Sequence, residues 1–127
     1  MGTRSTTKIY QDGQFLVGIF KRYDGYVEGW GNELKKFIKS GVFGNGIPGN
    51  YDKTKHFFNG AGCFAAQLIK EYKERPGELY VTTEDDLQEY NYKIDLITDP
   101  LLIIEKVRVE CEQDESYNET IEVYKKC

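Results

Sequence analysis

The sequence predicts an α+β domain built from an N-terminal β-hairpin, two amphipathic helices and then an antiparallel meander that forms one sheet with the helices packed on it. Strand-like segments flank an Asp12-Gly13 pair, apolar residues recur at helical spacing in two later segments, and the second half alternates apolar and polar residues. Helices that stand between a hairpin and a meander bury their apolar sides most simply against that sheet.

The first predicted element along the chain is the β-hairpin. Asp12-Gly13 supplies the positive φ angles that a two-residue turn requires. Strand one is therefore expected at 3–11 and strand two at 14–22. A glycine loop follows at 23–31, in which three glycines and three large aromatic residues stand close together.

The two helices are predicted from apolar residues at helical spacing. Helix one is expected from about Trp30 to Ser40, and helix two from Asn59-Gly60 to the stop at Arg75-Pro76-Gly77. A long irregular loop is expected between them, at 42–58.

Four strands are expected in the second half, at 78–83, 90–97, 101–112 and 117–124. Within the second of these strands, alternation places Tyr92 and Ile94 on one face and Asn91 on the other. This pattern is typical of an antiparallel sheet that is covered on one face.

Residues 1–127 are interpreted as a single domain, since a chain of this length hides about two-thirds of its unfolded surface in one core. The net charge of −4 comes from 17 basic and 21 acidic side chains without a basic stripe, so no duplex nucleic acid is expected as a partner. No apolar run approaches the ~18 residues of a membrane span. The three cysteines lack the spacing of a disulfide framework or zinc site. A cytoplasmic protein with no membrane partner is expected.

Enzymatic activity is not expected, because the residue sets that it needs are missing. His56 is the only histidine, and it is interpreted as a surface residue without a marked catalytic partner. No catalytic residue, no metal site and no cofactor is therefore predicted.

One alternative function remains open at an acidic cluster formed by Glu84, Asp85, Asp86 and Glu89. The favoured interpretation is a solvated turn that keeps a sheet edge soluble. The alternative is a divalent-metal-dependent phosphodiesterase using the acidic turn 84–89, since hard cations prefer several carboxylates.

Two other features point to binding. Gly60 and Gly62 precede helix two, which suits close helix packing or, as the alternative, a phosphate held by free backbone N–H groups. The chain also has ten tyrosines, among which Tyr23 and Tyr26 of the glycine loop are candidate ligand-binding residues. Such rings stack on planar bases or anchor protein interfaces. A protein-interaction module is therefore kept as an alternative to a protein that binds a small ligand.

Five sequence motifs follow one another along the chain. They are Gly2-Thr3-Arg4-Ser5-Thr6, the loop from Tyr23-Asp24-Gly25-Tyr26 to Gly31, Asn59-Gly60-x-Gly62, Leu79-Tyr80-Val81-Thr82-Thr83 and Gln88-Glu89-Tyr90-Asn91-Tyr92. Together they resemble the first type of phage anti-Thoeris sponge protein, over residues 2–108.

The resemblance implies a phage or prophage protein of immune evasion. Such a protein sequesters a cyclic ADP-ribose isomer made by bacterial TIR-domain immune enzymes, without cleaving it. The resemblance also implies a homodimer or higher homo-oligomer, and it extends to cyclic oligonucleotides at a second site.

The implied ligand-binding residues are Tyr80, Val81 and Thr82 at a strand end, Asn91, and Arg108 on the following strand. An amide can bind the edge of an adenine base, and a guanidinium can bind a pyrophosphate with two hydrogen bonds. The sequence leaves open which of Tyr80 and Val81 contacts the base.

Overall fold

The structure of the chain is a computed structural model that describes residues 2–44, 56–74, 76–100 and 103–123. Most of the loop predicted at 42–58 therefore lies outside the described residues. The same holds for one end of each strand predicted at 101–112 and 117–124, and for the side chain of His56.

Within these ranges the chain forms two α-helices and eight strands. The helices are α1 (Asn32–Ser40) and α2 (Gly60–Tyr72). The strands are β1 (Ser5–Gln11), β2 (Gln14–Lys21), β3 (Gly41–Gly44), β4 (His56–Asn59), β5 (Leu79–Thr82), β6 (Tyr90–Thr98), β7 (Ile104–Cys111) and β8 (Glu119–Glu122). The predicted α+β class is confirmed.

Six of these strands form one mixed sheet in the order β5-β2-β1-β6-β7-β8. The hairpin β1–β2 and the meander β6–β7–β8 are antiparallel, as predicted. The sequence does not predict the parallel pairing of β1 with β6, nor the position of β5, which lies beside β2. Both helices lie in the chain between β1 and β6, and parallel neighbours require such a long connection.

The hairpin turn forms at Asp12 and Gly13, where φ is 49° and 81°. These left-handed angles match the twist of the flanking strands. The Asp12 carboxylate also accepts hydrogen bonds from the backbone N and the hydroxyl of Thr98, at 2.9 and 2.5 Å. The turn thereby ties the end of β6 to the hairpin.

The helices cover one face of the six-stranded sheet. Apolar side chains of both layers are buried together, among them Leu34, Phe37, Ile38, Phe64 and Leu68 of the helices and Ile9, Ile19, Ile94, Leu96, Val107 and Val109 of the sheet. Burial of one such side chain stabilises the fold by about 1.5–3 kcal/mol. The alternate strand residues point to the opposite face, which neither α1 nor α2 covers and which is called the open face below.

The glycine loop is attached to the core by buried side chains. Residues 27–31 form a wide π-helical turn, so α1 begins at Asn32 instead of Trp30. The Trp30 indole donates to the hydroxyl of Thr7 at 2.8 Å. The Tyr92 hydroxyl donates to the carbonyl of Gly25 at 2.6 Å. These bonds hold the loop against β1 and β6.

The helices are short. Neither α1 nor α2 has the length and apolar character needed to cross a bilayer, and the described ranges contain no other helix that does.

Candidate functional site

The open face carries most of the residues that the resemblance implies. Strand register places Tyr80, Phe20, Thr6 and Asn91 in one row across β5, β2, β1 and β6. The next row contains Thr82, Gly18, Lys8, Lys93 and Glu110, and the third contains Tyr10, Asp95 and Arg108. Successive rows are about 7 Å apart along the strands.

These rows show which predicted residues come together. Tyr80 and Asn91 share a row but are three strands apart, about 14 Å by ordinary strand spacing. Arg108 lies two rows from Asn91 on the neighbouring strand, again about 14 Å away. Val81 points to the opposite face, where it pairs with Ile19 at the sheet edge and is 67% exposed. Tyr80 is therefore the member of the Tyr80–Val81 pair that shares a face with Asn91.

The segment 83–89 joins β5 to β6, which lie on opposite sides of the β1–β2 hairpin, and its contacts place it on the open face. The Tyr10 hydroxyl donates to the Glu84 carboxylate at 3.0 Å as the segment passes β1. A Cβ added to Gly18 would lie 3.0 Å from the carbonyl oxygen of Thr82 and 3.1 Å from that of Thr83. Gly18 is thus a place where the crossing backbone approaches the sheet closely, and the acidic turn lies on the open face.

Asn91 joins this crossing segment to the sheet. Its side-chain oxygen accepts from the Thr6 hydroxyl at 2.8 Å and from the backbone N of Gln88 at 2.9 Å. Its side-chain nitrogen donates to the carbonyl of Gln88 at 2.8 Å. Asn91 is only 7% exposed. The structure therefore gives its amide a structural role, with one N–H beyond these bonds. Contact with a ligand stays a prediction.

Arg108 is on β7 and is partly exposed. Its Nε bonds to the Glu110 carboxylate at 2.9 Å, and its Nη1 donates to the Thr120 hydroxyl at 3.0 Å. These two bonds use the Nε donor and one N–H of Nη1. One N–H of Nη1 and both N–H groups of Nη2 are left to bind an anion.

Two lysines in the middle row were not predicted from the sequence. Lys8 of β1 and Lys93 of β6 are direct neighbours in the parallel pairing. The Lys93 ammonium lies 4.8 Å from the centre of the Tyr10 ring. Among the described residues, neither ammonium has a carboxylate within ion-pair distance. Alternation places each lysine on the polar face of its strand, but the sequence does not reveal that the strands are neighbours.

The acidic turn is organised by internal hydrogen bonds. Thr82 donates to Asp86 at 2.7 Å, and Thr83 donates to Asp85 at 2.6 Å. The bond from Thr83 is the main reason why the pKa of Asp85 is lowered, and the nearby charge of Lys8 contributes less. Across the described ranges, His, Cys, Asp and Glu side chains form no group of three or more that could hold a metal ion. Threonine hydroxyls of the turn thus hold the carboxylates of Asp85 and Asp86, and the metal-dependent alternative stays a hypothesis.

Tyr23 and Tyr26 do not join the other predicted residues. Tyr23 lines a cavity of about 490 Å³ together with Arg22 and Pro76. Tyr26 lines a separate cavity of about 340 Å³ beside Trp30. Both cavities lie at the glycine loop, and neither is lined by the open-face residues.

The glycines at the start of α2 are not in the closely packed surroundings that one interpretation of the sequence predicted. A Cβ at Gly60 or at Gly62 would meet no atom within 4 Å in the described part of the chain. Close packing in that part therefore does not explain either glycine. Gly60 has a φ of 83°, which favours glycine directly.

The candidate site is therefore the open face around the two lysines, with Tyr10, Asn91 and Arg108 in the adjacent rows. No family model, curated protein or solved structure matches the chain.

Proposed function

We propose that the protein binds a cyclic ADP-ribose isomer on the open face and sequesters it without cleavage. In this proposal it is a phage or prophage counter-defence protein that acts in the cytoplasm of a bacterial host, as a homodimer or higher homo-oligomer. The product of a TIR-domain immune enzyme would be held before it reaches its effector.

The observation that carries the proposal is the pairing of Lys8 with Lys93. Like charges directly opposite each other on neighbouring strands destabilise a sheet. Among the described residues, neither lysine has an ion-pair partner to relieve that repulsion. Carboxylates lie nearby, since Glu110 is the cross-strand neighbour of Lys93 and the charge of Lys8 acts on Asp85, but neither carboxylate forms an ion pair with these lysines. A bound pyrophosphate would add charge-assisted hydrogen bonds, which are about twice as strong as neutral ones.

Aromatic rings beside the lysines suit the rest of such a ligand. Tyr10 stands one row from Lys8 and packs edge-on against Phe15, with ring centres 5.6 Å apart. Tyr80 is 46% exposed at the edge of the same face. Stacking of one base on such a ring contributes about 1–3 kcal/mol. Arg108 adds a third cation two strands from Tyr10.

Sequestration without cleavage is supported by the state of the nearby carboxylates. Glu84 and Asp85 each accept a hydrogen bond from a hydroxyl of the protein. The lowered pKa of Asp85 also makes it a weaker general base.

The proposal is tested first with the ligand itself. The protein is incubated with a cyclic ADP-ribose isomer, freed of unbound ligand and then denatured by heat. Mass spectrometry should recover the intact cyclic compound in an amount that matches the bound fraction. A linear or hydrolysed product would show that the protein is an enzyme, and no retained compound with any isomer would contradict nucleotide binding.

The second test concerns the site. Replacing Lys8 or Lys93 by glutamine should each weaken binding in calorimetry by about tenfold, which corresponds to ~1.4 kcal/mol. Lys36→Gln is the matched control, because Lys36 is an exposed lysine of α1 on the covered side of the sheet. Unchanged affinity in the Lys8→Gln, Lys93→Gln double variant would place the ligand elsewhere.

A further inference from the structure

A second candidate site lies on the other side of the sheet, at the end of β2. It is the cavity of about 340 Å³ lined by Lys21, Trp30 and Tyr72 together with the glycine loop, and is called the Lys21 pocket here. Its volume is at the small end of the range for ligand pockets, about 300–1,000 Å³. Neither Lys8 nor Lys93 of the open face lines the Lys21 pocket.

Lys21 is the unusual residue of this pocket. Its side chain is nine-tenths buried, with 9% of its surface exposed. The ammonium lies 5.3 Å from the centre of the Trp30 ring. Among the described residues it has no carboxylate or other hydrogen-bond acceptor in range. The stem of Lys21 is buried while its ammonium keeps access to solvent at the pocket, so its three donors can bond to something that enters the pocket.

The other charged residues of the pocket are carboxylates, which accept hydrogen bonds. Asp24, Glu28 and Glu33 contribute three carboxylates to its lining. Glu33 accepts a bond from the Tyr72 hydroxyl at 3.0 Å, and it keeps further lone pairs. Three negative charges against one positive charge disfavour an anionic ligand. A hydroxyl group is neutral and both donates and accepts, so it can satisfy Lys21 and a carboxylate together.

The backbone around the pocket is also out of the ordinary. Asp24 has a φ of 58°, which is uncommon for a residue with a side chain. The adjoining residues 27–31 form the π-helical turn, a feature often found at functional sites. Backbone conformations of this kind tend to persist where a site requires them.

We propose that the Lys21 pocket binds a neutral ring compound with adjacent hydroxyl groups, such as a sugar or the ribose of an uncharged nucleoside. One hydroxyl accepts from the Lys21 ammonium while neighbouring hydroxyls donate to the carboxylates. The ring packs against Tyr26, which is 38% exposed beside the pocket. This site does not depend on nucleotide binding at the open face.

The test uses Trp30, the only tryptophan of the chain, as a fluorescent reporter in the pocket wall. Adenosine should change its emission saturably. 2′,3′-Dideoxyadenosine, which lacks the adjacent hydroxyls, should bind at least tenfold more weakly, and AMP should not bind more tightly than adenosine. Absence of a saturable change with adenosine, equal binding of the dideoxy compound, or preference for AMP would each overturn the proposal.

Variants locate the effect. Lys21→Met keeps the apolar stem against Trp30 and should weaken adenosine binding at least tenfold, whereas Lys36→Met should not change it. Lys8→Gln and Lys93→Gln should also leave it unchanged, which separates this site from the open face. Lys21→Met should unfold at a similar urea concentration, because the methionine keeps the buried apolar stem and gives up only the contact between the ammonium and the Trp30 ring. Full adenosine binding by folded Lys21→Met would overturn the role of the ammonium.

Discussion

Replacing Asn91 by alanine should lower the free energy of unfolding by about 3 kcal/mol. The side chain makes three hydrogen bonds, one with Thr6 and two with Gln88, and each contributes about 1 kcal/mol net. The Thr6 hydroxyl, itself 0% exposed, would be left without this acceptor. For a domain of this size the loss corresponds to a melting temperature lower by about 10 °C.

Urea unfolding followed by circular dichroism measures this effect. Asn32→Ala is the matched control, because exposed Asn32 makes one 3.2 Å bond to the carbonyl of Glu28 and should cost less than about 0.5 kcal/mol. A double-mutant cycle with Thr6→Val isolates the bond between Thr6 and Asn91. The cost of Thr6→Val should fall by about 1 kcal/mol when Asn91 is already alanine.

Two results would refute the structural role of Asn91. One is a loss of less than about 1 kcal/mol in Asn91→Ala. The other is strict additivity with Thr6→Val, which would mean that the two side chains do not interact. A variant that keeps its stability but loses nucleotide binding would instead assign Asn91 to ligand contact.

Three further predictions test other parts of the structure. Gly62→Ala should raise the free energy of unfolding by about 0.5–1 kcal/mol, since α2 gains an alanine whose Cβ lies in open space. A lower free energy of unfolding would mean that a neighbour contacts this position. Gly41→Ala should lower the free energy of unfolding by about 1–3 kcal/mol, because its Cβ would collide with the Phe58 ring. Urea unfolding measures both glycine variants, and an unchanged free energy in Gly41→Ala would contradict the contact with Phe58. Burial raises the pKa values of Tyr92 and Tyr117 in the folded state, so stability should be complete below the unfolded value of about 10 and should fall above it. Urea midpoints that stay flat across that pH would contradict their burial.

The local elements of the fold could be predicted because their signals are local. Asp12-Gly13 specifies a turn by its own backbone preferences, and the turn forms there. Alternation along β6 correctly separates Tyr92, which is 1% exposed on the covered face, from Asn91. In both cases the sequence signal and the structural feature involve the same few neighbouring residues.

The pairing of distant strands could not be predicted in the same way. Nothing in the composition of β1 distinguishes a parallel neighbour from an antiparallel one, so the contact between Lys8 and Lys93 is invisible in the sequence. The burial of Asn91 has the same cause, since its partner Thr6 is 85 residues away. In the sequence Lys21 is an ordinary basic residue at a strand end. Its burial beside Trp30 depends on where the fold places the glycine loop.

The central position of β1 has a consequence for how the molecule is made. In the six-stranded sheet, β1 joins the pair β2 and β5 to the meander β6–β8. The ribosome makes β1 long before β6, so the nascent hairpin waits with one hydrogen-bonding edge unused. Such an edge can pair with another chain, and closure over so long a separation is slow. Yield of correctly folded protein should therefore depend on crowding of nascent chains and on chaperones that shield this edge during translation.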